Sequence, residues 1–208
     1  MSVADSCASL DVRGEVAAAE DIVAAFARQE GWDPALARGT FDAVEVFDTQ
    51  DALWRRVLSL NSLPQDTPLP TSGLVAGIEK RVFVVVCPAE YLRLNPEYAR
   101  RTESWRRLLA HEIAHRLHVN TLAGNDDAMG PVWFFEGFAV LAAGQNLDEG
   151  LAYPDVKEAL AATKEKGPLA YRRFVAAVRL LAARHPLKEL VAKANEAGFE
   201  EWLQAPGR

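Results

Sequence analysis

The stretch "LLAHEIAHRLH", residues 108–118, carries three of the four histidines in this 208-residue chain. On a helical wheel of about 100° per residue, His115 and His118 lie within about 40° of His111. Three apolar residues form a stripe on the opposite side of the wheel: Leu109, Ile113 and Leu117. The stretch therefore predicts a helix with one face in the core and its histidine face toward solvent or a cleft.

The spacing of two of these histidines predicts a metal site. Histidines four residues apart on a helix can reach one ion, because their Cβ atoms are about 5–6 Å apart, and zinc takes neutral imidazole readily. His111 and His115 have this spacing, and Glu112 lies beside them, where a general base can act on water at the metal. His118 lies about 10.5 Å along the axis from His111, which is too far for one tetrahedral ion to bind all three histidines of a straight helix. We therefore expect an exposed or cleft-rim position for His118. The alternative for the whole pattern is a solvated helix face.

A third ligand is predicted downstream, since a catalytic zinc takes three protein ligands and leaves one position open. The stretch "GPVWFFEGFAVLAAG", residues 130–144, is apolar nearly all round and predicts a buried helix with Pro131 near its start. Glu136 is its only charged residue. A carboxylate in such a helix is costly unless it is paired or bound to a metal, so Glu136 is the candidate ligand. A salt bridge or an exposed helix edge is the alternative.

Strand signals come before residue 90 and helical signals after it. The stretch "FDAVEVFD", 41–48, predicts a strand, and residues 73–86 predict a hairpin with its turn at 77–80. Helices are predicted at 14–30, 51–60, 102–119, 132–145, 154–166, 168–184, 186–196 and 199–204. This segregation predicts an α+β fold, with a small mixed sheet in the N-terminal half packed on the histidine helix and a helical C-terminal half.

Length and charge narrow the class of protein. The length fits one domain over residues 1–208, with an upper sub-domain to about residue 118 and a helical lower one over about 119–208. A net charge of −6 argues against a nucleic-acid partner, and no apolar run approaches the roughly 18 residues of a membrane span. The first residues lack a secretory signal pattern, so the cytoplasm is the default compartment unless a signal has been removed. The oligomeric state stays open.

The two cysteines, Cys7 and Cys87, match no metal or redox spacing. One interpretation is a loose N-terminal thiol and a buried strand thiol. The other is a disulfide between them, which requires an oxidising compartment.

"HEIAH" followed by "WFFEGFA" resembles the gluzincin zinc metallopeptidases, and within them the small peptidase MA-like single-domain proteins and minigluzincins. The resemblance implies a zincin-like fold with an active-site cleft between the two sub-domains. It implies one zinc ion per chain bound by His111, His115 and Glu136, with Glu112 as catalytic base in the hydrolysis of a peptide or protein substrate. Position 135 is Phe where aminopeptidases of this clan carry Asn, and no "GxMEN"-like motif is present, so aminopeptidase activity is not implied.

The resemblance also suggests parts of the substrate site. The stretch "RVFVVV", 81–86, is the candidate for an edge strand that binds an extended peptide, with an interior strand as the alternative. Tyr171 is the first candidate for a donor to the oxyanion, followed by Tyr153 and His185; a packing tyrosine is the alternative for Tyr171. Two aspartates are candidates for partners of the ligand histidines or for a solvated loop turn: Asp126 and Asp127.

Two other functions stay open on the sequence. A gluzincin-like module that binds zinc but is catalytically weak, or is held latent by its C-terminal tail, would act in protein binding. A helix bundle in which "HEIAH" is a coincidence would bind no metal. The intact pattern favours a peptidase, because a decaying site would be free to lose Glu112.

Overall fold

The structure is a computed structural model that describes residues 1–4, 7–70, 73–99, 101, 103–145 and 150–205. The strands of the described chain are β1 (Ser2–Val3), β2 (Ala43–Phe47), β3 (Ala76–Glu79) and β4 (Val82–Val86). Its α-helices are α1 (Val12–Gln29), α2 (Gln50–Leu60), α3 (Pro88–Leu94), α4 (Ser104–Thr121), α5 (Val132–Ala142), α6 (Val156–Thr163), α7 (Ala170–Ala182), α8 (Leu187–Lys193) and α9 (Phe199–Gln204). The predicted α+β fold, with the sheet in the N-terminal half and helices after it, is confirmed.

The four strands form one mixed sheet in the order β1-β2-β4-β3. Strands β1, β2 and β4 are parallel, and β3 is antiparallel to β4. Strand β4 is therefore interior, and its residues 83–86 are all buried, as expected for a strand covered on both faces. The interpretation of 81–86 as an edge strand was wrong, because β2 pairs with β4 on the side away from β3.

The hairpin turn lies at Lys80 and Arg81, later than the predicted 77–80. Both residues have left-handed backbones, with φ of 45° and 65°, which suits the two-residue loops that match strand twist. Gly77 instead lies within β3 and is paired with Val84. The guanidinium of Arg81 donates to both carboxylate oxygens of Asp42, at 2.9 and 2.7 Å, and this pair holds the turn against the start of β2.

The chain divides into two compact units, Met1–Ala19 with Gly39–Glu112, and Glu20–Arg38 with Ile113–Arg208. In the first unit, α2 is held on the sheet by Arg56, which donates to both carboxylate oxygens of Glu45 on β2 at 2.7 and 2.8 Å. The indole nitrogen of Trp105, in the first turn of α4, donates to the carbonyl of Val86 at 2.8 Å. Helix α4 therefore starts against the sheet, as predicted.

In the second unit, α5 and α7 pack closely at Gly137, where an added Cβ would lie 2.7 Å from the carbonyl oxygen of Phe174. Helix α9 covers the start of α5: Phe199 stacks on Trp133 with ring centroids 6.2 Å apart, and the Trp133 indole donates to Glu200 at 3.3 Å. The apolar character of α5 is thus explained by neighbours on several sides.

Two elements and one thiol differ from the sequence-based expectations. Strand β1 and helix α3 were not predicted, since a two-residue strand and a seven-residue helix carry too little periodicity. Cys7 is buried, so the expectation of a loose thiol was wrong, and Cys87 is buried as expected. The two cysteines do not form a disulfide.

Candidate metal centre

Helix α4 carries two of the predicted ligands one turn apart. His111 is buried and His115 is half-buried. The apolar stripe of the wheel is fully buried, as predicted: Leu109, Ile113 and Leu117. This burial fixes the rotation of the helix about its axis, and therefore the direction in which both imidazoles leave the backbone.

Helix α5 carries the third predicted ligand. The turn before it needs Gly130, which has a φ of 84° and packs so closely that an added Cβ would lie 2.6 Å from Ala194. Pro131 then caps the helix, and most of α5 is buried. The side chain of Glu136 is 18 % exposed, so part of it reaches solvent although most of α5 is buried.

The three side chains converge. One ligand atom from each of His111, His115 and Glu136 lies within 4.8 Å of the other two. Nε2 of His115 is 3.5 Å from Oε2 of Glu136. Two ligands bound at about 2.1 Å to a tetrahedral ion are about 3.4 Å apart, so this pair already has the spacing of zinc ligands. The three residues form a group that can hold a metal ion.

The donor set also suits zinc. Two imidazoles and one carboxylate are the protein ligands of one common class of catalytic zinc site, in which a fourth position stays open. The side chain of His115 is 19 % exposed, similar to that of Glu136, so the group is not sealed from solvent.

Two further residues were predicted to be catalytic. Glu112 is half-buried on α4, next to His111 in the chain. Tyr171 is exposed in the first turn of α7, with its ring 6.0 Å from that of Phe174. The α7 backbone at Phe174 lies against Gly137, the residue after Glu136. The base role of Glu112 and the oxyanion role of Tyr171 stay predictions.

His118 does not have the exposed or cleft-rim position that the wheel predicted. It is fully buried, with its ring 4.6 Å from that of Phe138 and 5.8 Å from that of Phe134. Burial, with a smaller contribution from nearby His115, lowers its pKa from 6.5 to about 3. The wheel failed here because two α5 phenylalanines cover the part of the histidine face of α4 that we expected to lie toward solvent or a cleft.

The sequence also offered Tyr153, His185, Asp126 and Asp127 as candidates, and their surroundings are as follows. Burial raises the pKa of the Tyr153 hydroxyl. The ring of His185 lies 4.6 Å from that of Trp202, and its Nδ1 is 3.8 Å from a carboxylate oxygen of Glu189. Two residues are exposed in a short 3-10 helix, as the loop-turn alternative predicts: Asp126 and Asp127.

Sequence reasoning missed two residues next to the ligands. The ring of Phe135 lies 5.8 Å from the imidazole of His115, with the planes at 70°. Gly137 is needed because the α7 backbone leaves no room for a side chain. A glycine inside an otherwise apolar helix was the available signal for the close approach. The contact of Phe135 with His115 depends on how α5 docks and left no signal in the sequence.

No family model matches the chain, and no match was found among the curated proteins or the solved structures. Within the described part of the chain, no helix combines the length and the apolar character that crossing a membrane requires.

Proposed function

We propose that the protein is a zinc-dependent metallopeptidase with a single zincin-like domain. The convergence of His111, His115 and Glu136 to within 4.8 Å carries the proposal. The 3.5 Å between His115 and Glu136 supports zinc as the ion, because it matches the edge of a tetrahedral zinc site. The glutamate of the H-E-x-x-H pattern, Glu112, supports hydrolysis over simple metal storage, since metal binding alone does not require it.

Bound zinc polarises a carbonyl group and lowers the pKa of water, which are the two activations that peptide hydrolysis needs. His111, His115 and Glu136 would hold the ion. Glu112 would accept a proton from the attacking water and donate it to the leaving amine, which is the work of one carboxylate acting first as base and then as acid. Tyr171 would donate a hydrogen bond to the developing oxyanion.

Strand β3 is the candidate to bind an extended peptide, since β1, the strand at the other edge of the sheet, has only two residues. Strand β3 lies at an end of the strand order and is antiparallel to β4, whereas β4 itself is paired on both sides. A substrate strand can add to such an edge through backbone hydrogen bonds, which gives affinity with little dependence on sequence.

The decisive test compares wild-type protein with Glu112→Gln in casein hydrolysis. We expect the wild type to be inhibited by a chelator and restored by zinc. Glu112→Gln should lose about 100-fold or more in rate while keeping its zinc, because the substitution removes the proton acceptor and none of the ligands. Glu158→Gln, at an exposed glutamate of α6, is the matched control and should behave as wild type.

Equal activity of wild type and Glu112→Gln, or no activity in either protein, would contradict the proposal that the protein is a peptidase. If zinc is bound in both proteins and neither hydrolyses casein, the result supports the zinc-binding module that acts in protein binding.

A further inference from the structure

The start of helix α5 depends on contacts from outside the helix. Pro131 occupies the N-cap position, and its ring offers no acceptor to the free backbone N–H groups of the first turn. Val132, the first residue of the helix, is 61 % exposed and therefore contributes little packing of its own. Glu136 is the fifth residue of α5, so the position of its carboxylate depends on how this first turn is held.

Helix α9 supplies contacts to this turn. Phe199 stacks on Trp133, with ring centroids 6.2 Å apart and planes at 9°, and meets Phe134 edge to face at 5.5 Å. All three rings are buried. The carboxylate of Glu200 accepts the indole N–H of Trp133 at 3.3 Å and an ammonium N–H of Lys164, at the end of α6, at 3.0 Å. A ring and a carboxylate of α9 thus hold the second and third residues of α5.

The next two residues of α5 contact a ligand histidine. Phe135 has its ring centroid 5.8 Å from that of the His115 imidazole, and Oε2 of Glu136 is 3.5 Å from Nε2 of His115. One side of the first turns of α5 therefore meets α9, and another side meets His115. A shift of α5 after loss of the α9 contacts would change the distance between Glu136 and His115. A metal site tolerates little change of this kind, because its ligands must be held within about 0.5 Å of the binding geometry.

We infer that α9 positions Glu136 for the metal ion, with Phe199 and Glu200 as the positioning residues that hold the start of α5. The inference rests on the metal site of the proposed function. Replacing residues that support metal ligands typically changes metal affinity by about 10–100-fold. The coupling is reciprocal: if zinc binds more weakly when α9 opens, bound zinc makes that opening rarer by the same factor.

The first test measures the dissociation constant of zinc by competition with a chromophoric chelator. Glu200→Ala and Phe199→Ala should each weaken zinc binding by about tenfold or more, because Trp133 loses a hydrogen-bond acceptor or a stacked ring. Glu200→Gln should bind zinc like wild type, since its amide oxygen still accepts the indole N–H. Glu201→Ala is the matched control, because it removes the same charge at the exposed neighbouring glutamate of α9, and it should also bind like wild type.

The second test follows amide hydrogen exchange with and without zinc, which separates positioning from a purely structural role. In wild type, zinc should slow exchange in α9 by about tenfold more than in α6, which lies in the same compact unit. A general effect of zinc on the stability of this unit would slow both helices equally. In Glu200→Ala, the extra protection of α9 should be lost.

The outcomes distinguish this inference from the proposed function. If wild type, Glu200→Ala and Phe199→Ala bind zinc equally, or if zinc protects α9 and α6 equally, the inference is overturned and the metal site stands. If wild type binds no zinc, both are overturned. If zinc binding depends on α9 as described but casein is not hydrolysed, the inference stands and the peptidase fails. Glu200→Ala keeps the test decisive if Phe199→Ala does not fold, because Glu200 is only half-buried.

Discussion

His118 should make the protein less stable in weak acid, and its replacement by leucine should remove this effect. The imidazole is fully buried against Phe134 and Phe138, and its pKa is about 3 in the folded protein against 6.5 when unfolded. Neither ring nitrogen has a hydrogen-bond partner among the described residues. The folded state therefore excludes a proton that the unfolded state takes up.

The sign and size of the effect follow from these two pKa values. Above pH 6.5 the imidazole is neutral in both states and makes no pH-dependent contribution. Between pH 6.5 and about 3 only the unfolded state binds the proton, so stability falls as the pH falls. At pH 5 the loss is about 2 kcal/mol, since each pKa unit corresponds to about 1.4 kcal/mol.

Urea unfolding at pH 7.5 and pH 5.0 measures this loss, with a chelator present so that metal release makes no contribution. The free energy of unfolding of wild-type protein should fall between the two pH values by about 2 kcal/mol more than that of His118→Leu. At pH 7.5, His118→Leu should be neutral or stabilising, because the removed nitrogens have no partners to lose. An equal fall in wild type and His118→Leu would refute the reasoning.

Three further changes test the packing and the turns. Gly137→Ala should destabilise the protein by about 1–3 kcal/mol in urea unfolding, because the new methyl would lie 2.7 Å from the carbonyl oxygen of Phe174. The control Gly77→Ala should not destabilise the protein in this way, because its new methyl would make only ordinary contacts. An equal loss of stability in both variants would contradict the close approach of α7 to Gly137. Lys80→Asn should raise the free energy of unfolding by about 0.5–1 kcal/mol, because asparagine tolerates the left-handed backbone at this turn better than lysine; a decrease would count against the turn geometry. Asp155→Ala should cost about 1 kcal/mol by thermal or urea unfolding, since its carboxylate caps α6; no change would mean that the cap is not formed in solution.

The elements around the candidate site were predictable because local periodicity defines them. His111 and His115 lie on one helix, so their spacing alone fixes that both can reach one ion. Glu136 was recognisable as a lone carboxylate in an apolar helix, for which few stable surroundings exist. The convergence of these three residues agrees with that interpretation.

The predictions that failed are those that depend on which element of the fold covers which face of a helix or strand. A helical wheel gives the angle of His118 but not the phenylalanines of α5 that bury it. The run of valines in β4 fits an edge or an interior strand equally well until its parallel pairing with β2 is known. The same limit applies to Phe135, whose contact with His115 is set by the docking of α5.

Tyr171 illustrates a different limit. Its assignment came from a resemblance of one helix and not from any property of the residue itself. It lies exposed at the start of α7, and a Tyr171→Phe comparison in the casein assay is the measurement that decides its role. A loss of about tenfold or more in rate would support the oxyanion donor, and an unchanged rate would leave a packing or surface tyrosine.

The central claim is that His111, His115 and Glu136 bind a zinc ion, and zinc content tests it most directly. Wild-type protein purified without chelator should contain about one zinc per chain by elemental mass spectrometry. Glu136→Gln should lose most of it, because amide oxygen is a poor substitute for a carboxylate ligand, whereas the exposed control Glu158→Gln should retain it. Less than about one zinc per ten chains in the wild type, or full zinc content in Glu136→Gln, would contradict the claim.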